Sequence, residues 1–359
     1  MSSTKYSSGL IFTSNGDGTC YLYNGKKARD KDIIIPDVVT RGECRGDKVI
    51  AIGESAFEYG GEWGSENKDD DIKNIVIPDS VEIIGEAAFH DFINLKTISI
   101  GAGVRKIEKN ALYCLLTNII VSPQNKAFKI IDNSLYTKNG QILVKYVDCE
   151  SVPDFVLPKT VKSIRERAFD RARLRHIVLS ESLSCISEFA FESCRNLECI
   201  SVPDSIKAIE RGTFYACEKL NSVALGNRVT CIKDLAFARC SSLVNVSFSS
   251  KIKSLGQNAF GGCESLIELD LPESVETIDR YAFNGCRNLT QIKMPEGVTS
   301  ICESTFRDCE NLVFLELTSN ITYIHREAFV NCPKLIIKAP RGSYAIEYAN
   351  QHNIKFEEI

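Results

Sequence analysis

Leu197-Glu-Cys-Ile200-Ser-Val202-Pro203-Asp-Ser-Ile206-Lys-Ala-Ile209-Glu-Arg-Gly-Thr213-Phe214-Tyr-Ala-Cys217 is the stretch that decides the fold. Its opening, Leu-x-x-Ile-x-Val, alternates apolar and polar residues over a few positions, the pattern of a short, half-buried strand. Pro203 then closes the strand, because proline donates no backbone hydrogen bond and fits where a ladder stops. Ile206-x-x-Ile209 makes a return segment, and Thr213-Phe214 sits in what reads as a compact helical turn.

The same phrase recurs along the chain. With Phe214 as anchor, the series is Phe57, Phe89, Leu112, Phe169, Phe191, Phe214, Phe237, Phe260, Phe283, Phe306 and Phe329, and every step from Phe191 onward is 23 residues. Five residues before the anchor the column reads Ile52, Ile84, Ile107, Ile164, Ile186, Ile209, Ile232, Leu255, Ile278, Ile301, Ile324. Eight before it, all eleven positions are again aliphatic, from Val49 to Ile321. The residue before the anchor is Ala except at Thr213 and Thr305. Fixed phase at four positions marks an internal repeat, which overrides any domain count drawn from length.

One such unit cannot bury its own apolar side, whereas stacked units form a continuous core whose stability is a sum of neighbour interfaces. The fold class expected is an α/β repeat: a curved leucine-rich-repeat solenoid with a parallel concave β-sheet, short helical turns, an N-terminal hairpin cap and a C-terminal helix cap. Burying each anchor Phe is worth roughly 2–3 kcal/mol.

The unit Leu-x-x-Ile-x-Ile-Pro-x-Ser-Val-x-x-Ile-Gly-x-x-Ala-Phe-x-x-Cys resembles the BspA-like leucine-rich repeats, and Ile77-Pro78-Asp79-Ser80-Val81-Glu-Ile-Ile84-Gly85-Glu-Ala-Ala88-Phe89 is nearly that consensus. Flanking segments extend the resemblance. Gly9–Tyr23 reads as a hairpin around Asn15-Gly16-Asp17-Gly18, and Phe128–Tyr146 looks like the family's inserted hairpin unit. Arg341–Phe356 is similar to its closing helix and strand, with Ser343 as N-cap. The organisation expected is a hairpin cap over 1–32, repeats over 33–122 with a loop insertion at 60–71, an inserted hairpin over 123–150, regular repeats over 151–339 and a C-terminal cap over 340–359. The resemblance implies an adhesion or protein-interaction module of the kind found in surface and secreted proteins of host-associated bacteria and in some protozoan parasites, where some members bind host matrix proteins. Most such proteins carry an export signal.

Composition narrows the classes. The 359 residues carry a net charge of −4 with 44% hydrophobic residues, and a pI of about 5.8 lacks the basic stripe of a nucleic-acid binder. No run reaches the 18 apolar residues of a membrane span. Met1–Leu10 lacks the apolar core of a signal peptide, so the chain as written reads as cytoplasmic, with surface or secreted locations left to a longer precursor.

Seven of the 15 cysteines stand three residues after consecutive anchors: Cys194, Cys217, Cys240, Cys263, Cys286, Cys309 and Cys332. Stacked repeats hold equivalent side chains parallel and about 4.8 Å apart. Disulfides need converging Cβ atoms and zinc needs four converging ligands, so the column reads as a small buried filler. The slot also takes Gly60, Phe92, Leu115 and Ala172. The four histidines, His90, His176, His325 and His352, are scattered, and no Ser-His-Asp or Cys-His arrangement or phosphate loop is expected. No catalytic residue, metal or cofactor is assigned. The insertion around Trp63 offers an aromatic anchor of the type enriched at hot spots, while Asp69–Asp71 lacks an EF-hand pattern for calcium.

In each strand the residues beside the apolar ones face the concave side. The middle of that face is small and weakly polar, as in Ser222/Ala224, and the C-terminal end is charged. Glu268, Asp270, Gln291, Lys293, Phe314 and Glu316, with Trp63, are therefore the candidate partner-binding residues. The function expected is a non-catalytic scaffold for a protein or peptide partner, working as a monomer. The alternative is a structural spacer or a unit that assembles end to end.

Overall fold

The computed structural model describes residues 7–28, 30–57, 72–90, 92, 94–148 and 154–359. The chain divides into two compact units, Met1–Glu150 and Ser151–Ile359, each a parallel β-solenoid.

In the second unit the alternating segments become three- or four-residue strands. Asp154–Val156, His176–Val178, Cys199–Ser201, Ser222–Ala224 and Asn245–Ser247 pair in parallel. Gln291–Lys293, Phe314–Glu316, Ile336–Ala339 and Lys355–Glu358 form another parallel run. Equivalent residues share a rung: Ile200 lies opposite Val223, and Ile292 opposite Leu315. These central side chains are buried and their neighbours point outward.

The return segment is also a strand, which the sequence reading did not anticipate. Ala208–Ile209, Cys231–Ile232, Ser254–Leu255 and Thr277–Ile278 build a second ladder two residues wide. Each aliphatic residue of the column five before the anchor faces the core.

The expected helical turn around the anchor does not form. The one α-helix among the described residues is Tyr344–Gln351. Two residues before the anchor the backbone is left-handed, as at Phe189, Leu235 and Tyr281 (φ 54°, 59° and 60°), and two after it again, as at Ser193, Arg239 and Asp308 (φ 56°, 62° and 60°). Alternating handedness turns every second N–H out toward the next repeat. Phe237 N–H donates to the Ala259 carbonyl at 2.8 Å, and Leu235 and Arg239 N–H to those of Gln257 and Gly261 at 2.9 and 2.7 Å. In an α-helix these groups would bond four residues back. Left-handed non-glycine residues cost roughly 1–2 kcal/mol each, and the inter-repeat bonds, at about 0.5–1.5 kcal/mol each, offset that.

Inside the turn the anchor rings form a column. Successive centroids from Phe169 to Phe329 lie 4.7–6.1 Å apart with interplanar angles of 7–19°. The Tyr348 ring of the helix meets Phe329 edge-on at 6.3 Å and covers the end of the column. Ser343 occupies the N-cap position with extended backbone, but its hydroxyl makes no cap bond.

The seven-cysteine column is more than filler. Each Sγ–H donates to the carbonyl of the anchor one repeat back, from Cys194 to Phe169 through Cys332 to Phe306, at 2.9–3.2 Å. Burial pushes the Cys240 and Cys286 thiols up to about 12, which keeps the donor proton in place.

The first unit is less regular. Asp32–Ile34, Asn74–Val76, Thr97–Ile100 and Asn118–Val121 form its strand ladder. Ile11–Ser14 and Thr19–Asn24 make the expected hairpin, with Gly16 and Gly18 at φ 81° and 82° where a side chain would be strained. Phe128–Ile131, Ser134–Thr137 and Ile142–Lys145 fold as two consecutive hairpins, not one. Phe57 stacks on Phe89 at 5.3 Å, and the next anchor is Leu112. Beside Phe92 the filler slot belongs to Cys114, which bridges it, and not to Leu115.

Candidate interaction surface

The outward side of the second unit's strands carries two columns of side chains. One runs Asp154, His176, Cys199, Ser222, Asn245; the other runs Val156, Val178, Ser201, Ala224, Ser247. Val156 and Val178 are exposed to 68% and 60%, and Ser201, Ala224 and Ser247 beyond them form a shallow, featureless shelf.

His176 and Cys199 are register partners, closer than the sequence reading allowed. The imidazole is nevertheless committed to carboxylates: Nδ1 lies 2.7 Å from Asp154 Oδ1, and Nε2 lies 3.5 Å from Glu198 Oε2. Glu198 also receives Arg175 Nε at 2.9 Å, a contact that holds its carboxyl below the ordinary value. The cluster is an exposed ion-pair array with no base directed at the thiol.

The strand ladder is interrupted after Asn245–Ser247. The following segment, 267–271, keeps only a single bridge, Glu268 to Gln291. In neighbouring repeats Val244 and Val313 N–H donate to Asn221 and Thr290 carbonyls, and Leu225 and Met294 N–H to those of Ser247 and Glu316. The N–H groups of Ile267, Leu271 and Phe248 make no such bond among the described residues, although the Ile267 carbonyl still accepts from Thr290 N–H at 2.8 Å. The repeat before the break places Phe248 where others place Val202, Leu225, Met294 or Leu317. Its ring turns edge-on to Phe260 at 6.0 Å. Larger side chains placed in a packed slot are commonly accommodated by shifting backbone, which makes Phe248 the residue to test at the break.

Beside the break lies a cleft of about 360 Å³ lined by Glu268, Asp270, Gln291, Lys293, Phe314 and Glu316, with Glu273 and Lys338 at its margins. The six residues singled out on this face by sequence thus share one concavity. Gln291 Nε2 donates to Glu268 Oε1 at 2.8 Å. Lys293 Nζ pairs with Glu316 at 3.3 Å, and Lys338 Nζ with Glu357 at 3.1 Å. The Lys338 ammonium also sits 3.9 Å from the centre of the Phe314 ring. Lys338 and Glu273 were missed by the sequence reading. Lys338 is the rung partner of Glu316, so following the column one repeat further would have found it. Glu273 belongs to the corner after the strand, outside the alternation.

Trp63 and Asp69–Asp71 lie outside the described residues. Among the described residues no group of three or more His, Cys, Asp or Glu side chains is placed to hold a metal ion. No helix among them is long and apolar enough to cross a membrane.

The family model "BspA type Leucine rich repeat region" matches in six copies over residues 66–145, 144–260 and 209–336. Among solved structures, a leucine-rich repeat protein from Eubacterium ventriosum is similar with a TM-score of 0.59 and 22% identity, over 84% of this chain and 94% of that one. A leucine rich cell surface protein from Faecalibacterium prausnitzii gives 0.57 and 22%, covering 96% of both chains. The pneumococcal vaccine antigen PcpA gives 0.51 and 15%, over 94% of this chain and 82% of that one. At these identities the likeness is one of fold. None of the curated proteins matches the chain.

Proposed function

The chain belongs to the BspA-type leucine-rich-repeat family, and from that premise we propose that it is a non-catalytic scaffold that holds a protein partner against the outward face of its strands, centred on the cleft at the broken ladder. One observation carries the reading. A long run of shallow, small side chains gives way, at one place, to a cleft with an aromatic side chain, mixed charge and backbone groups released from the ladder. Interfaces concentrate their energy in such pockets around aromatic anchors, with flat surroundings that mainly exclude water. The similar surface protein and vaccine antigen agree with a role at an interface, as does the family. Trp63 remains a second contact proposed from sequence alone.

Site-specific photo-cross-linking in the producing cell tests the reading. A benzophenone side chain at Gln291 is expected to capture a defined protein, and the same group at Arg239, on the turn opposite the strands, is expected not to. Equal capture at both positions, or none at Gln291, contradicts it.

End-to-end assembly draws on the terminal strand Lys355–Glu358, whose four residues are all exposed. Its charges, Lys355, Glu357 and Glu358, are of the kind that discourage edge pairing. Light scattering that shows concentration-dependent oligomers would favour assembly over the scaffold.

A further inference from the structure

We infer that the cleft beside Phe314 is a receptor for one cationic side chain, a lysine or arginine projecting from an exposed segment of the partner. The inference rests on the scaffold reading above and adds the chemistry of recognition.

The cleft already displays that chemistry within the chain. Lys338 places its ammonium over the Phe314 ring and pairs with Glu357 on its far side, so an aromatic face and a carboxylate together hold one cation. Aromatic rings attract ammonium and guanidinium groups through their quadrupole, more strongly where water is thinned out. The remaining charges are unequal. Glu316 answers Lys293 and Glu268 accepts from the neutral Gln291 amide, while Asp270 and Glu273 have no ion pair among the described residues. The cleft therefore keeps three carboxylates without a paired cation among the described residues, Glu268, Asp270 and Glu273, all on the interrupted segment and the corner that follows it. An incoming cation enters a cleft lined by the half-exposed Phe314 ring and by these carboxylates. An acidic or phosphorylated segment meets net repulsion there.

The volume agrees with a single side chain and not with a folded element. About 360 Å³ is at the lower end of small-molecule sites, and the flat Ser201, Ala224 and Ser247 shelf beside it leaves room for an extended backbone without specifying it.

The full-length chain can be titrated with fluorescein-labelled tetralysine, tetraarginine, tetraglutamine and tetraglutamate peptides, read by anisotropy at low ionic strength. One or both basic peptides are expected to bind, and the difference between them tells an ammonium site from a guanidinium site. Phe314→Ala, which leaves the charge unchanged, is expected to weaken binding about fivefold. Asp270→Asn with Glu273→Gln is expected to weaken it about tenfold. The off-site pair Glu181→Gln with Glu347→Gln makes the same charge change and should alter affinity less than twofold. Lys338→Met, which vacates the ring, should tighten binding. Thermal unfolding of each variant verifies that it is folded; the four substituted positions other than the half-exposed Phe314 and Lys338 are exposed.

The inference is overturned if tetraglutamate binds as well as tetralysine, if Phe314→Ala leaves affinity unchanged, or if the off-site pair weakens binding as much as the cleft pair. If no basic peptide binds while Gln291 still cross-links a partner, the cation receptor falls and the scaffold stands. If neither is seen, both fall.

Discussion

The two units solve the same packing problem with different strictness. In Ser151–Ile359 the rings from Phe169 to Phe329 form an unbroken column, the filler slot from Cys194 onward is always a thiol, and each thiol donates to the anchor carbonyl behind it. In Met1–Glu150 the column runs Phe57, Phe89 and then Leu112. Its filler slots hold Phe92 and Cys114, and Phe92 itself stacks on Phe57 at 6.0 Å. A strict period stabilises by repetition, because each repeat contacts its neighbours alone. An irregular one must find a separate solution at every step. Even within the strict unit, the broken strand ladder shows that the core can stay in register while the surface strand lets go.

If ring stacking is what sets the regular unit apart, the largest effect belongs to its middle. Phe237→Ala is expected to cost about 3–5 kcal/mol in denaturant unfolding. Leu112→Ala should cost at least about 1 kcal/mol less, since no aromatic pairs are lost with it. Equal losses would remove the ring column as the distinguishing feature.

Alkali should act through the thiols. Cys240 and Cys286 titrate near 12 in the folded chain against an ordinary value of 9.0. The native state therefore holds its protons where the unfolded state has released them. Their contribution is complete below about pH 9 and is lost as the pH rises toward 12. Stability measured between pH 8 and 11 is expected to fall in the wild type and to fall less in Cys240→Ala/Cys286→Ala.

At neutral pH, Cys240→Ala alone should cost about 1–2 kcal/mol, from the lost donor and the small void. A neutral result would return the cysteine column to mere filler. The smallest effect is a gain. Ser304 is left-handed at φ 51° and its buried hydroxyl lacks a hydrogen-bond partner, so Ser304→Gly should raise stability by about 0.5–1 kcal/mol. A loss would show that the position is not strained.

The core and the strand face were legible in the sequence because burial leaves a periodic trace: the Ile column, the Ala-Phe pairs and the outward Glu268–Glu316 strip all keep phase. The turn was legible only in part. Asn110, Gly212 and Asn258 two before the anchor, and Gly262, Gly285 and Asn331 two after it, are residue types that favour left-handed backbone, whereas Phe189, Leu235 and Tyr281 in the same column carry no such mark. The second ladder escaped because two-residue strands are too short to alternate. Cys114 displaced Leu115 because one residue is lost within that turn, a shift that spacing alone does not locate. The break in the ladder follows Phe248, which in sequence is one more apolar residue and in the fold turns edge-on to Phe260.

The most direct measurement is amide hydrogen exchange of the full-length chain, resolved along the strand ladder. Ile267, Phe248 and Leu271 are expected to exchange orders of magnitude faster than their repeat equivalents Val244, Leu225 and Met294, and Phe248→Leu should slow them toward those neighbours. Uniform protection across all six amides would contradict an opened ladder, and with it the place where a partner is proposed to dock.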